Sequence, residues 1–292
     1  MRLATYIHQG RRQVGLVAAD GRTVTALDLP AQDAARGVLA VVEQLAQGGK
    51  LPATSGAALP LASVKLEAPI PVPRRNIWCV GRNYHAHAKE LQASVFKNNA
   101  ADPTSWPIVF TKVPETVVGP TDPVQLPGAA ISSQIDYEAE LTIVIGKGGK
   151  NIPREQAMEH VFGYTIVNDV TARDVQMRHQ QWDMGKSFDT FCPMGPWIVT
   201  ADELDGRNTR VRCWVNGELR QDALTTDLIF DLPTLIETCS RGITLHPGDL
   251  IATGSPAGVG MGMTPPSWLK AGDSVRIAVD GLGEIENRFV DA

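Results

Sequence analysis

Two acidic side chains stand one residue apart at the start of an apolar segment. In DYEAELTIVIGK (136–147), Glu138 and Glu140 precede the run LTIVIG. If this segment is a β-strand, both carboxylates project to the same face, because alternate side chains share a face. Two such charges repel and lose hydration, and a hard divalent cation relieves both penalties. Taken alone, the spacing fits an exposed strand edge with polar residues at least as well as a metal site.

A third acid closes the next apolar run. In VFGYTIVNDVTARDVQ (161–176), Asp169 follows the run and precedes a polar stretch. This is a strand-end position, where β-rich folds often place functional groups. Asp174 is an alternative, but it lies beyond the strand, in a turn or at a helix start. A single aspartate at a strand end is also a common cap, so the residue alone does not decide between cap and ligand.

A histidine and a glutamate in GRNYHAHAKE could transfer protons. His87 and Glu90 are three residues apart, so on a short helix they share a face and can form a hydrogen bond. A histidine oriented by a carboxylate is a suitable general base near neutral pH. His85 is the alternative base, but Ala88 stands at the corresponding position and gives it no acidic partner. Surface histidines on a polar helix are the simpler interpretation of this segment alone.

Two phosphate-binding motifs are imitated in the chain, and both are rejected. The glycines of GVGMG (258–262) resemble a dinucleotide fingerprint, but prolines at 265 and 266 leave no helix start for a pyrophosphate. GKS (185–187) lacks the upstream glycine of a P-loop, because Gln180 stands there.

Short strands dominate the segments that position these residues. Apolar runs such as NIWCVG, PIVFTK, ELTIVIG, GPWIVT and DLIATG predict strands. RVRCWV-NG-ELRQDA predicts a hairpin, because Asn216-Gly217 suits a type I′ turn. DLPTLIETCSRGITL is the clearest late helix, beginning near Asp231 and ending by Gly242. Many strands with few helices predict a β-rich α+β fold.

The first 68 residues are predicted to form a small N-terminal α/β module, and residues 69–292 the catalytic domain. RLATYIH and QVGLVAA have the pattern of strands, and AARGVLAVVEQLAQGG has helical spacing up to Gly48-Gly49. A break rich in Pro, Ala and Ser follows, and PIPVPRR (69–75) is typical of an extended connector.

Composition limits the class of protein. The chain has 292 residues, of which 43% are hydrophobic, enough for a sizeable core. A net charge of −5 argues against a nucleic-acid partner. Neither a membrane span nor a signal peptide is expected, because no apolar run is long enough. The scattered cysteines are expected to be buried, reduced thiols of a cytoplasmic protein: Cys79, Cys192, Cys213 and Cys239.

Five segments in a fixed order resemble the fumarylacetoacetate hydrolase superfamily: GRNYHAHAKE, DYEAELTIVIGK, NDVTARDVQ, GKSFDTFCPMGPW and DLIATGSPAGVG. Each segment is weak alone, but the ordered set is specific and covers roughly residues 70–290. The resemblance implies a mixed β-sandwich roll like the C-terminal domain of that family, preceded by the small N-terminal module.

The resemblance also implies roles for individual residues. It makes Glu138, Glu140 and Asp169 the ligands of Mg²⁺ or Mn²⁺ and places the pair of His87 and Glu90 on a mobile lid, where it activates water. The polar stretch 91–106 has little periodicity, which suits a loop that orders on substrate binding; plain disorder is the alternative.

Four further residues match family positions that contact substrate. Lys186 would stabilise negative charge that develops on the substrate. Arg173 and Gln176 would bind substrate, although Arg173 could equally brace a neighbouring acid. Thr253 would hydrogen-bond a substrate oxygen. The chain departs from the family's Gly-Thr-Pro pattern here, because Ser255 replaces the threonine.

The reaction that the resemblance implies is hydrolysis of a C–C bond in a β-diketo acid of the acylpyruvate type, through an enolate that the metal stabilises. The same kind of site also supports tautomerisation or decarboxylation of oxaloacetate and isomerisation of 2-hydroxydienoates. The presence of both His87 and Glu90 favours a hydrolase or decarboxylase without deciding between them. A catalytically silent metal-binding scaffold protein is the alternative of another class. The expected partners are a 2-oxo or β-diketo acid and, by analogy, a second copy in a homodimer.

Overall fold

Strands dominate the part of the chain that the computed structural model describes, which is residues 1–94, 105–178 and 181–292. These ranges contain nineteen strands: β1 (Arg2–His8), β2 (Arg11–Val17), β3 (Thr23–Leu27), β4 (Thr54–Pro60), β5 (Lys65–Leu66), β6 (Ile77–Gly81), β7 (Ile108–Lys112), β8 (Val117–Val118), β9 (Val124–Leu126), β10 (Ile135–Asp136), β11 (Ala139–Ile145), β12 (Val161–Asn168), β13 (Thr171–Ala172), β14 (Cys192–Thr200), β15 (Arg210–Val215), β16 (Glu218–Leu224), β17 (Leu250–Ala252), β18 (Ser274–Val279) and β19 (Gly283–Asp291).

The α-helices are short, and six lie in the described ranges: α1 (Ala31–Ala34), α2 (Val38–Ala46), α3 (His85–Ser94), α4 (Arg173–Gln176), α5 (Asp183–Lys186) and α6 (Leu232–Ser240). The predicted β-rich α+β class is therefore confirmed. None of these helices combines the length and the apolar character that crossing a membrane requires.

A large mixed sheet forms the centre of the molecule, with its strands in the order β4-β3-β2-β1-β14-β12-β11-β17-β6-β7. All seven residues of β11 are buried, as its continuous apolar run predicts. Its odd-numbered side chains, such as Leu141 and Ile143, pack in one core cluster, whereas Val144 packs in a second cluster on the opposite face. By the same alternation, Glu138 and Glu140 point to the Val144 side of the sheet.

A second sheet, in the order β16-β15-β18-β19-β9, covers one face of the first. Val211 and Cys213 of β15 share a core cluster with Leu141 and Ile143 of β11, which gives the predicted sandwich. The hairpin between β15 and β16 turns at Asn216-Gly217, with φ of 52° and 82°. Two positive φ values are what a type I′ turn requires, so this prediction is confirmed.

The N-terminal segment continues the large sheet. Strand β1 pairs with β14, where Arg2 lies opposite Val199 and Leu3 opposite Ile198. The division of the chain at residues 68 and 69 stays a prediction.

The predicted N-terminal helix is interrupted. It consists of α1 and α2, because Gly37 has a φ of 66° between them. The break predicted before the connector contains strand β4, which the prediction missed. All but one of its residues are exposed, so it lies at the sheet edge without a burial pattern to mark it.

Candidate active site

The three predicted carboxylate ligands meet where β11 begins and β12 ends. The two strands are antiparallel, with Ala139 opposite Asn168, so the residues just outside this pair become neighbours. Glu138 precedes β11, Glu140 is its second residue, and Asp169 follows β12. All three side chains are buried, and one carboxylate oxygen of each lies within 4.8 Å of the other two. Asp169 thus belongs to the cluster.

Backbone groups fix two of these residues. The amide of Asp169 donates to the carbonyl of Glu138 at 2.9 Å. The amide of Gly254 donates to Oε2 of Glu140 at 2.8 Å. Gly254 has a φ of +105°, and a Cβ there would lie 2.7 Å from Cβ of Asn83. A glycine is therefore required where this amide reaches the carboxylate.

Two buried lysines lie against the cluster. Lys186 Nζ donates to Asp169 Oδ2 at 2.6 Å and also to Glu138. Lys112 Nζ donates to the other Asp169 oxygen at 2.8 Å and to the carbonyl of Val170 at 3.0 Å. Lys186 is predicted here by the family resemblance, whereas Lys112 is not. The available signal was weak: a lysine that ends the apolar strand PIVFTK, as Asp169 ends its own run.

Arg173 braces the cluster from α4. Its guanidinium donates to Asp136 at 2.8 Å, to Glu138 at 2.9 Å and to Gln176 at 3.2 Å. Of the two uses foreseen for Arg173, the structure shows the bracing of acids. Asp174 is turned elsewhere, because Ser132 donates to it at 2.5 Å. Asp136, which is completely buried, is a further residue that the sequence analysis did not find.

Local charges and burial shift the pKa values of Glu138 and Glu140 in opposite directions. Burial raises the pKa of Glu140 well above its ordinary value, and the charges of Asp169 and Glu138 raise it further. Burial acts on Glu138 in the same direction, but Arg173 and Lys186 outweigh it and hold the pKa of Glu138 below its ordinary value. Burial alone would lower the pKa of Lys186, yet the adjacent carboxylates raise it. Lys186 is therefore a charged group.

The predicted pair on α3 is formed. His87 Nδ1 lies 3.1 Å from Oε2 of Glu90, and His87 Nε2 lies 3.8 Å from Glu138. His87 is 1% exposed, whereas His85 on the same helix is exposed. With Nδ1 in contact with Glu90, Nε2 is the ring nitrogen that faces the carboxylate cluster. The stretch 91–106 that was expected to order on binding lies mostly outside the described residues.

Thr253 lies beside the cluster, but its hydroxyl donates to the carbonyl of Leu141 at 2.9 Å. Asn83 donates to the carbonyl of Thr253 at 2.8 Å and so ties this loop to the segment before α3. The hydroxyl of Ser255 instead lines the pocket and accepts from Gln221 at 2.7 Å. The substrate role of Thr253 stays a prediction.

A small pocket opens onto these groups. Three cationic side chains line it, namely Arg82, Arg173 and Lys186. Arg82 is 8% exposed and has a φ of 53°, an unusual backbone conformation for this residue type. The remaining lining residues are Val80, Gly81, His87, Phe110, Glu138, Glu140, Gln176, Trp182 and Ser255. The lining therefore combines three cationic side chains with two carboxylates.

The donor set fits a hard divalent cation. Glu138 and Asp169 pair with lysines. Within the described ranges, Glu140 accepts a hydrogen bond from the Gly254 amide and pairs with no cationic side chain. A buried carboxylate with a raised pKa beside two others is stabilised when a cation joins them. Carboxylate oxygens are ligands for both Mg²⁺ and Mn²⁺.

Comparison with known proteins decides the family. Residues 76–290 match the sequence model of the C-terminal domain of fumarylacetoacetate (FAA) hydrolase. The chain belongs to the fumarylacetoacetate hydrolase family. All five segments that carried the resemblance lie in the matched range, so that prediction is confirmed.

Curated relatives of this family member carry the name oxaloacetate tautomerase. "Oxaloacetate tautomerase YisK" of Bacillus subtilis is 50% identical over 230 residues, which are 78% of this chain and 74% of the relative. "Oxaloacetate tautomerase fahd2, mitochondrial" of Xenopus laevis is 43% identical over 287 residues, covering 95% of this chain and 86% of the relative.

Solved structures of the family share the whole fold. Fumarylacetoacetate hydrolase from psychrophilic Exiguobacterium antarcticum superposes with a TM-score of 0.85 at 39% identity, and both chains are fully covered. Maleylpyruvate hydrolase from Sphingobium sp. SYK-6, in complex with manganese (II) ion and pyruvate, gives 0.78 at 32% identity, again over both full chains. The manganese in that relative and the carboxylate cluster here together indicate a divalent metal site.

Proposed function

We propose that this protein catalyses the keto–enol tautomerisation of oxaloacetate with a divalent cation bound by Glu138, Glu140 and Asp169. The observation that carries the proposal is the small pocket whose lining combines the cationic side chains of Arg82, Arg173 and Lys186 with the carboxylates of Glu138 and Glu140. Oxaloacetate has two carboxylates that such walls would bind. The relatives named oxaloacetate tautomerase support the same substrate.

The bound cation would supply Lewis acidity at the keto oxygen of the substrate. The protein's own groups would do the rest. Arg82 and Arg173 would hold the substrate carboxylates, and Gln176 would orient Arg173. Lys186 would stabilise negative charge on the oxygen as the C3 proton leaves.

His87 would move the proton. With Nδ1–H held by Glu90, its Nε2 lone pair would take the proton from C3, and the resulting Nε2–H would deliver that proton to the substrate oxygen as the enol forms. The reverse transfer gives the keto form, so the reaction neither consumes water nor changes the atoms of the substrate. Tautomerisation therefore needs one acid–base group beside the carboxylates.

Hydrolysis of acylpyruvates is the second candidate. The same Nε2 atom could deprotonate a water, and the maleylpyruvate hydrolase among the structural relatives favours this reading. Decarboxylation of oxaloacetate and isomerisation of a 2-hydroxydienoate would use the same enolate chemistry. Each of these reactions has a distinct product, so a substrate panel separates them.

The test is an assay of purified protein with Mg²⁺ or Mn²⁺. Enol oxaloacetate should lose its ultraviolet absorbance faster than in buffer, with no pyruvate formed. Acetylpyruvate, fumarylpyruvate and a hydroxymuconate-type dienoate serve as competing substrates. Release of pyruvate from an acylpyruvate with no acceleration of oxaloacetate tautomerisation would overturn the proposal in favour of the hydrolase.

Assembly and location complete the proposal. A homodimer would give a solution mass of twice the 31.5 kDa chain, which light scattering can measure. A cytoplasmic location stays a prediction, since the curated relatives include proteins named mitochondrial. Fractionation of the source cells tests it.

A further inference from the structure

The glycine-rich segment GVGMG, rejected as a dinucleotide motif, lies against the acid–base pair. It forms a single 3₁₀ turn, Gly260–Gly262. A Cβ at Gly258 would lie 1.8 Å from the carbonyl oxygen of Arg220, and a Cβ at Gly260 would lie 2.0 Å from that of Ser267. Backbone approaches this close explain the first two glycines by packing alone.

Gly262 is different, because its close neighbour is a side chain of the site. A Cβ there would lie 2.2 Å from the carboxyl carbon of Glu90. The same carboxylate accepts from the amide of Gly258, at 3.1 Å for Oε1 and 3.3 Å for Oε2. The segment therefore contacts Glu90 at two points. The Gly258 amide donates a hydrogen bond to the carboxylate, and the missing side chain of Gly262 leaves room for it.

Asp136 fixes this segment through hydrogen bonds to its backbone. Its carboxylate accepts from the amides of Gly260 at 2.7 Å and Met261 at 3.0 Å. It also accepts from Nε of Arg173 at 2.8 Å. One buried carboxylate thus links the segment that touches Glu90 to the arginine that lines the pocket.

We infer that residues 258–262 form a seat for Glu90, and that Gly262 and Asp136 are positioning residues for His87. The seat fixes the Glu90 carboxylate, the carboxylate fixes the His87 ring, and the ring presents Nε2 to the pocket. The inference rests on the proposed catalytic role of His87, and it holds for whichever of the candidate reactions His87 serves.

The decisive variant is Gly262→Ala. Gly262 has an ordinary backbone conformation, and the added methyl meets the end of a flexible side chain, so the protein should fold. Displacement of Glu90 should lower kcat about 10- to 100-fold, since small misplacements of catalytic groups cost this much. KM should change less than about twofold, and so should the Mn²⁺ affinity that calorimetry measures. Gly146→Ala is the matched control, because its Cβ would crowd Phe162 at 3.0 Å, outside the site.

A double-variant cycle separates this mechanism from a general packing defect. In a Glu90→Ala background there is no carboxylate to displace, so Gly262→Ala should have no further effect on kcat. Losses that multiply in the double variant would overturn the inference. Asp136→Asn should lower kcat and also raise KM, because it loosens both the seat and Arg173.

Hydrogen–deuterium exchange tests the seat without any assay of activity. Glu90→Ala removes the acceptor of the Gly258 amide, so this amide, isolated by overlapping peptides, should exchange about tenfold faster, as expected for a lost charge-assisted hydrogen bond. Unchanged exchange would contradict the seat. If exchange increases but oxaloacetate is not tautomerised, the seat stands and the proposed function falls.

Discussion

The carboxylates of Glu138, Glu140 and Asp169 lie at the ends of two paired strands in the middle of the large sheet, whereas His87 and Glu90 lie on the short helix α3. The first group is fixed by the hydrogen bonds between the strands and by two buried lysine side chains. The second is fixed by contacts with a loop and with Glu138.

This difference predicts that substitutions in the two regions affect different properties of the protein. Changes at the strand ends should act on cation binding and on folding. Changes around α3 should act on kcat with little effect on cation affinity.

Glu140→Gln should be the most damaging substitution. It keeps the shape but removes the carboxylate that has no cationic partner among the described residues, so Mn²⁺ affinity and activity should fall on the order of 10³-fold. Titration calorimetry and the enol assay measure both. Exhaustive chelation of the parent should match this loss, and full activity after chelation would exclude a metal-dependent reaction.

His87→Ala should lower kcat about 10²-fold or more while Mn²⁺ affinity stays within about twofold of the parent. The reason is that Nε2 handles the proton and does not belong to the carboxylate cluster. His85→Ala is the control on the same helix and should be silent. Parent-like turnover by His87→Ala would break the comparison, because the base would then lie elsewhere.

Lys112→Met should act on folding. It leaves the buried Asp169 with one cation fewer and removes a donor from the Val170 carbonyl, which should cost about 3 kcal/mol of unfolding free energy. Urea unfolding measures this. Saturating Mn²⁺ should recover part of the loss, since it binds the folded state. Lys65→Met, at an exposed pair with Asp122, should cost less than about 1 kcal/mol.

Arg82→Gln should raise KM for oxaloacetate about tenfold with kcat nearly unchanged, because one charge-assisted contact to a substrate carboxylate is lost. The enol of phenylpyruvate, which has a single carboxylate, is the comparison substrate. An equal rise in KM for both substrates would mean that Arg82 supports the shape of the pocket and does not bind the second carboxylate.

Gly217→Ala should have the smallest effect. The residue lies in the β15–β16 turn with a φ of 82° and nothing near its missing Cβ, so the cost is backbone strain of about 1 kcal/mol. Thermal unfolding should show it, and kcat should equal that of the parent. A loss of activity would show that this remote hairpin is coupled to the site.

Local patterns made part of the molecule predictable. The apolar run of β11 predicted a strand buried on both faces, Asn216-Gly217 predicted its turn, and Asp231 predicted the start of α6, where it accepts from Thr234 at 3.1 Å. These signals reside in neighbouring residues, so no tertiary information is needed to read them. The exposed edge strand β4 was missed because strand burial, which it lacks, is what makes a strand visible in sequence.

The candidate site was predictable to a lesser degree. The spacing of Glu138 with Glu140, and of His87 with Glu90, places each pair on one face of its strand or helix, but the functional roles of both pairs needed the family resemblance. Asp169 needed the family resemblance, since one acid at a strand end has several uses.

Short-range spacing is enough to predict the strand-rich class, the paired acids and the histidine–glutamate pair, because each depends on residues within a few positions of one another. Long-range contacts are needed to bring Lys112 and Asp136 into the site and Gly262 against Glu90. Those contacts join segments far apart in the chain. Their formation depends on how the sheet orders its strands and loops, and no local spacing encodes that order.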